Sequence, residues 1–158
     1  MPKALPSYRK PLNPRQIKLL VTLYKFRFAT SHLIASSQGT KYPQVINTRL
    51  KVLLDQEYIG RNYDSSYKIK GKQASYFLLS KGIRFLSSQE FSNAKVINAL
   101  YHDKHAGEEF IQHCLNVFRL YIEIKEAYPD EFSFFSKSEL YQFNHFPEVL
   151  PRSGRAVR

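Results

Sequence analysis

The stretch YIGRNYDSSYKIKGKQASYFLLSKG, residues 58–82, decides the fold. Two short segments rich in aromatic and branched residues, YIGRNYD (58–64) and ASYFLLS (74–80), flank a soft polar run that carries Lys68, Lys70 and Lys72. Aromatic and β-branched side chains suit a pleated, half-buried surface, and Gly71 sits in the run between them, so the pattern predicts a β-hairpin with a long loop. SKGIRFLSS, residues 80–88, then predicts a short helix capped by Ser80.

Upstream, residues 1–12 hold Pro2, Pro6 and Pro11 with basic residues and no periodicity, which predicts an extended basic arm. NPRQIKLLVTLYKF (13–26) places Asn13 as a cap, Pro14 at the first helical position and Gln16 where a capping-box partner belongs. RFATSHLIASSQ (27–38) offers Thr30 or Ser31 as the cap of a short second helix, ended by Gly39. KYPQVINTRLKVLLDQEYI (41–59) predicts a third helix from Pro43, with Val45, Ile46, Leu50, Leu53 and Leu54 on its apolar face. The order helix, helix, helix, strand, loop, strand is that of the winged helix-turn-helix, in which the last helix before the hairpin enters the major groove. We expect such a domain over residues 13–92.

That order assigns roles to polar residues. Gln44, Asn47, Thr48 and Lys51 share a helix face, and amide and lysine groups can bond base edges or phosphates. Lys41 and Tyr42 lead into the same helix, and Arg61, Lys68, Lys70 and Lys72 belong to the wing. Thr30 and Ser31, at a helix start, are candidates for phosphate contacts. An ordinary solvated helix surface would carry similar residues.

Beyond residue 92 a long helix dominates. DKHAGEEFIQHCLNVFRLYIEIKEAY (103–128) has a polar line through Gln112, Asn116, Arg119, Glu123 and Glu126. Phe110, Cys114, Val117, Tyr121 and Ile124 form a stripe that suits either a homodimer contact or burial inside the monomer. EFSFFS (131–136) reads as a strand, KSELYQF (137–143) as a short helix capped near Ser136 or Ser138, and PEVL (147–150) as a possible further strand. The expected class is α+β, mainly α: a winged domain, then residues 93–158 as a long helix with a small α/β part that organises assembly.

Charge points to the partner. The net charge is +11. Residues 1–100 carry 17 Lys and Arg against 4 acids, a balance of +13, whereas the remainder carries 7 against 9, or −2. All the excess positive charge therefore lies in the first two thirds, as expected of a module that meets a polyanion. With 43% hydrophobic residues the chain is globular, and no apolar window approaches the ~18 residues of a membrane span. The one cysteine, Cys114, excludes an internal disulfide framework, and MPKALPSYRKPLNPRQ (1–16) has charge without the apolar centre of a secretory signal, so a cytoplasmic protein is expected.

Catalytic readings are weaker. His102, Asp103, His105, Glu108, Glu109 and His113 form a cluster, but its spacing is not that of a zinc protease, and acids gather at helix starts for electrostatic reasons alone. A nuclease would need several convergent carboxylates, and only Glu148 falls near a predicted strand. Cys114 on an apolar stripe reads as a small buried hydrophobe. No glycine-rich phosphate loop is present. We expect no catalytic residues, no metal and no cofactor.

GKQASYFLLSKGIRFL (71–86) resembles the wing ending Y-x-L-T-x-x-G of MarR-like and PadR-like regulators, through Tyr76, Leu78, Ser80 in place of threonine, and Gly82. Together with RFATSHLI (27–34) and INTRLKVLLDQEYIGR (46–61), it resembles the replication-relaxation family, winged-helix proteins of plasmids and other mobile elements. That family's His before a long helix would correspond to His102, and its later core continues into a P-D-A strand, whose place is taken here by SGRAVR (153–158). The resemblance implies a double-stranded DNA partner and a role in conjugative transfer, replication control or repression, with a relaxase or replication protein as a further partner. A protein-interaction module docking on such an enzyme is the alternative, and a truncated nuclease the third.

Overall fold

The structure of the protein is a computed structural model that describes residues 10–142. Helix α1, Pro14–Phe26, starts as its sequence requires: Asn13 Oδ1 accepts the Gln16 N–H and Gln16 Oε1 accepts the Asn13 N–H, both at 2.9 Å. This capping box pairs two of the N–H groups that a helix start leaves open. The helix ends in a tight γ-turn, where Phe28 N–H donates to Phe26 O at 2.8 Å and Arg27 takes φ +68°. Positive φ in such a turn is costly for a residue with a Cβ. The turn sends the chain into an extended segment, where Ala29 bridges antiparallel to Tyr76.

Helix α2, Ser31–Ser37, is capped by Thr30, whose hydroxyl oxygen accepts the Leu33 N–H at 3.2 Å. Gly39, at φ +64°, closes it with Thr40 N–H donating to Ala35 O. Helix α3, Pro43–Asp55, buries Ile46, Leu50 and Leu53. Val45, expected on that apolar face, is exposed, because it stands one position off the line through 46, 50 and 53. Its end uses Glu57 at φ +61°, with Glu57 N–H donating to Leu54 O and Tyr58 N–H to Leu53 O, the bond pair usually built on glycine.

Strands β1, Ile59–Asn62, and β2, Ser75–Leu78, pair antiparallel, with Ile59 opposite Leu78 and Asn62 opposite Ser75. The loop between them contains a single turn of helix, α4, Ser66–Ile69. Helix α5, Ser80–Ser87, follows, but Leu79 takes the cap position and no side chain caps it, so Ser80 lies inside the first turn rather than before it. Gly82 explains how closely α5 lies on the hairpin: a Cβ there would stand 2.3 Å from the Tyr58 carbonyl oxygen.

Helix α6, Ala94–Tyr101, is capped by the Asn93 side chain, and a 3-10 turn at Asp103–His105 separates it from the long helix α7, Glu108–Ala127. The long helix therefore begins later than its sequence periodicity suggests. Helix α8, Lys137–Gln142, has Ser136 at its cap: Ser136 Oγ accepts the Glu139 N–H at 3.3 Å and Glu139 Oε2 accepts the Ser136 N–H at 2.7 Å. Residues 131–136, expected as a strand, form none; Phe134 packs instead against Phe26 and Tyr121. The expected PEVL strand, residues 1–9 of the arm and the SGRAVR segment lie outside the described residues.

The class is α+β and mainly helical, with one two-stranded sheet among the described residues. One core cluster joins Leu19, Leu23 and Leu50 with Leu78 and Leu86, and also with Leu100, Phe118 and Ile122, so residues before and after position 92 share it. The Phe26 and Phe118 rings stack with centroids 4.0 Å apart, holding α7 against α1. No described helix is long and apolar enough to cross a membrane.

Candidate nucleic-acid interface

On α3 the side chains of Gln44, Asn47, Thr48 and Lys51 are all exposed and lie at spacings of three and four, on the side away from Ile46, Leu50 and Leu53. Thr48 Oγ1 donates to Gln44 O at 3.1 Å, so its proton is used within the helix while its acceptor side faces out. Lys41 and Tyr42 are exposed just before the helix, and Val45 and Val52 add two exposed apolar side chains to it. The face thus offers amide donors and acceptors, one ammonium group and small apolar contacts. Those are the groups that can distinguish base edges in a major groove.

The hairpin loop is built rather than loose. Asp64 Oδ1 accepts the Ser66 N–H at 2.8 Å, Tyr67 N–H donates to Asp64 O at 2.9 Å, and Lys72 N–H donates to Tyr67 O at 2.8 Å. Ser66, by side chain and backbone, holds the Asp64 carboxyl below its ordinary value, with the charge of Lys70 adding to the effect. Tyr63 meets Tyr67 edge to face, and the Arg61 guanidinium lies 5.2 Å from the Tyr63 ring. Lys68 and Lys70 are exposed at the tip. Lys72 behaves differently: it pairs with Glu108, the first residue of α7, and its ammonium stands 4.6 Å from the Tyr67 ring. Of the three lysines, two face solvent and one ties the loop to the long helix.

Thr30 and Ser31 are only 7% and 9% exposed, and the Thr30 oxygen already serves the Leu33 N–H. They lie under the surface as α2's cap and first residue, not on it as phosphate contacts. The α7 stripe is likewise occupied by its own chain. Phe110 meets Phe28 edge to face, Cys114 is buried with Phe28, Phe77, Ile111 and Leu115, and Tyr121 packs on Phe26 and Phe134, with Val117 and Ile124 half-buried beside them. Contacts within the monomer bury Cys114 and cover the other four side chains of that stripe in part. Burial also pushes the Cys114 thiol up to about 11, far from nucleophilic use.

The cluster before α7 is divided by its environment. Asp103 is buried and receives Arg27 Nε at 3.3 Å and Arg27 Nη2 at closer range, while the same Nη2 also donates to Ala99 O at 2.9 Å. The Arg27 guanidinium lies 4.6 Å from the Phe110 ring. Burial pushes the Asp103 carboxyl up, against the bonds and charge of Arg27, which lower it. His102, His105, Glu108, Glu109 and His113 are exposed, and among the described residues no group of three or more His, Cys, Asp or Glu side chains is arranged to hold a metal ion. No local sequence signal announces the Arg27–Asp103 pair, since 76 positions separate the partners.

No protein-family model matches the chain, and no curated protein matches its sequence.

Proposed function

We propose that residues 13–92 form a winged helix-turn-helix domain that binds double-stranded DNA, with α3 reading the major groove and the β1–β2 loop lying along the adjacent backbone. The observation that carries this reading is the pairing of an outward polar face on α3 with an internally hydrogen-bonded basic loop on the hairpin that follows it. The Ala29–Tyr76 bridge supports it, because it attaches the segment between α1 and α2 to the hairpin at one antiparallel bridge beside β2. The concentration of positive charge in residues 1–100 supports the polyanion. By sequence resemblance, the DNA belongs to a plasmid or other mobile element, and the role is transfer, replication control or repression, without catalysis.

Fluorescence anisotropy with labelled duplex, measured over a salt series, tests the reading. Lys51→Ala and a combined Lys68→Ala/Lys70→Ala variant should both weaken binding, and the paired change should lower the salt slope by about one unit for each phosphate no longer neutralised. Lys72→Ala should cost less, because Glu108 already holds that ammonium. Unchanged affinity in both main variants would remove this docking mode. Equal affinity for duplex, single strand and heparin would favour a protein-docking module instead.

A further inference from the structure

Ile69 is the most exposed large hydrophobic residue described, at 91%, and it sits at the tip of the hairpin loop. It closes the single turn α4, with Lys68 before it and Lys70 after it, both exposed. Successive residues of a helical turn diverge by about 100°, so the two ammonium groups splay to either side of the isoleucine. The platform below is held by the Asp64–Ser66 bond, the Lys72–Tyr67 backbone bond, the Tyr63–Tyr67 ring contact and the Lys72–Glu108 pair. A supported loop therefore presents one branched apolar side chain to water between two positive charges.

We propose that Ile69 is a wedge that enters the minor groove of duplex DNA, partly unstacks a base step and bends the helix. This rests on the duplex-binding reading above and deepens it. The minor groove is about 6 Å wide and is walled on both sides by phosphates, which matches one apolar side chain flanked by two lysines. Proteins that bend DNA from that groove commonly insert a single apolar residue between bases. A lipid surface is the other occupant that combines negative charge with an apolar interior. It suits this tip less well, because stable membrane attachment needs more buried apolar area than one isoleucine supplies. The proposed preference is for flexible pyrimidine–purine steps, which unstack most easily.

The test uses the full chain and a duplex of about thirty base pairs with a central TA step, end-labelled for energy transfer and carrying a fluorescent adenine analogue at that step. Wild type should shorten the end-to-end distance, as expected of a kink of at least about 20°, and raise the analogue's fluorescence. Ile69→Ala should keep the wild-type circular dichroism, abolish both signals and bind on the order of tenfold more weakly. Lys68→Ala/Lys70→Ala should reduce affinity and salt slope but keep the analogue signal at saturating protein. If wild type and Ile69→Ala bend and bind equally while the lysine variant weakens, the wedge is overturned and the docking reading stands. If wild type binds no duplex, both fall. Vesicles of phosphatidylglycerol and phosphatidylcholine form the control arm, and binding to them that Ile69→Ala abolishes, with duplex left unbent, would replace DNA by lipid as the occupant.

Discussion

Arg27 and Glu57 both take positive φ where chains commonly place glycine, yet they are held there for different reasons. Glu57 is exposed and ends α3 through backbone bonds alone, so nothing about its side chain requires the strained conformation. Glu57→Gly should stabilise the fold by about 0.5–1 kcal/mol, read as a raised denaturation midpoint in urea. Arg27 is held by its fork on Asp103 and Ala99 O and by the Phe110 ring. Asp103→Ala would leave that guanidinium without its carboxylate and should cost about 3 kcal/mol, while Asp103→Asn keeps an acceptor and should cost much less. The pH dependence has a defined sign. Because burial raises the folded Asp103 pKa above the ordinary 3.8, its stabilising contribution is complete below that value and fades as pH rises through the folded one. The stability of Asp103→Asn relative to wild type should therefore improve from pH 3.8 upward, as urea titrations at stepped pH would report.

Helices α1 and α2 and the hairpin were legible because their signals are local. Asn13, Pro14 and Gln16 write a capping box within four consecutive residues, and Thr30 and Gly39 bracket α2. Gly82 was legible as part of a wing pattern, but its physical reason, the Tyr58 carbonyl under α5, belongs to the assembled fold. Gly82→Ala should destabilise strongly, since backbone cannot yield as a flexible side chain can, and thermal unfolding would report it. The segment 131–136 misled for the same reason in reverse. A short run rich in phenylalanine looks like a strand in isolation, but among the described residues no strand pairs with it, and Phe134 finds Phe26 and Tyr121 instead. At α7 the width of the apolar surface was readable, whereas the identity of its cover was not.

Across the whole molecule, α7 is the organising element, because it inserts Phe118 and Ile122 into the core built by α1, α2, α3, the hairpin, α5 and α6, and buries Cys114 against Phe28 and Phe77. Thiol labelling with a water-soluble disulfide reagent at pH 8 should accordingly be slow in the folded protein and become complete in denaturant, with the thiol pushed up to about 11 by burial. The pair between Lys72 and Glu108 couples the hairpin loop to the same helix. Composition, capping residues and apolar spacing were enough to define the order α1, α2, α3, β1, β2 and α5, the α+β class and the basic character of the first two thirds, since each depends on neighbours within a few residues or on a simple sum of charge. Tertiary packing alone decided that Asp103 serves Arg27, that Thr30 and Ser31 lie beneath the surface, that Lys72 is engaged and that Ile69 stands in water. Those outcomes depend on which distant groups compete for the same side chain, and burial makes that competition decisive by removing water as the alternative partner.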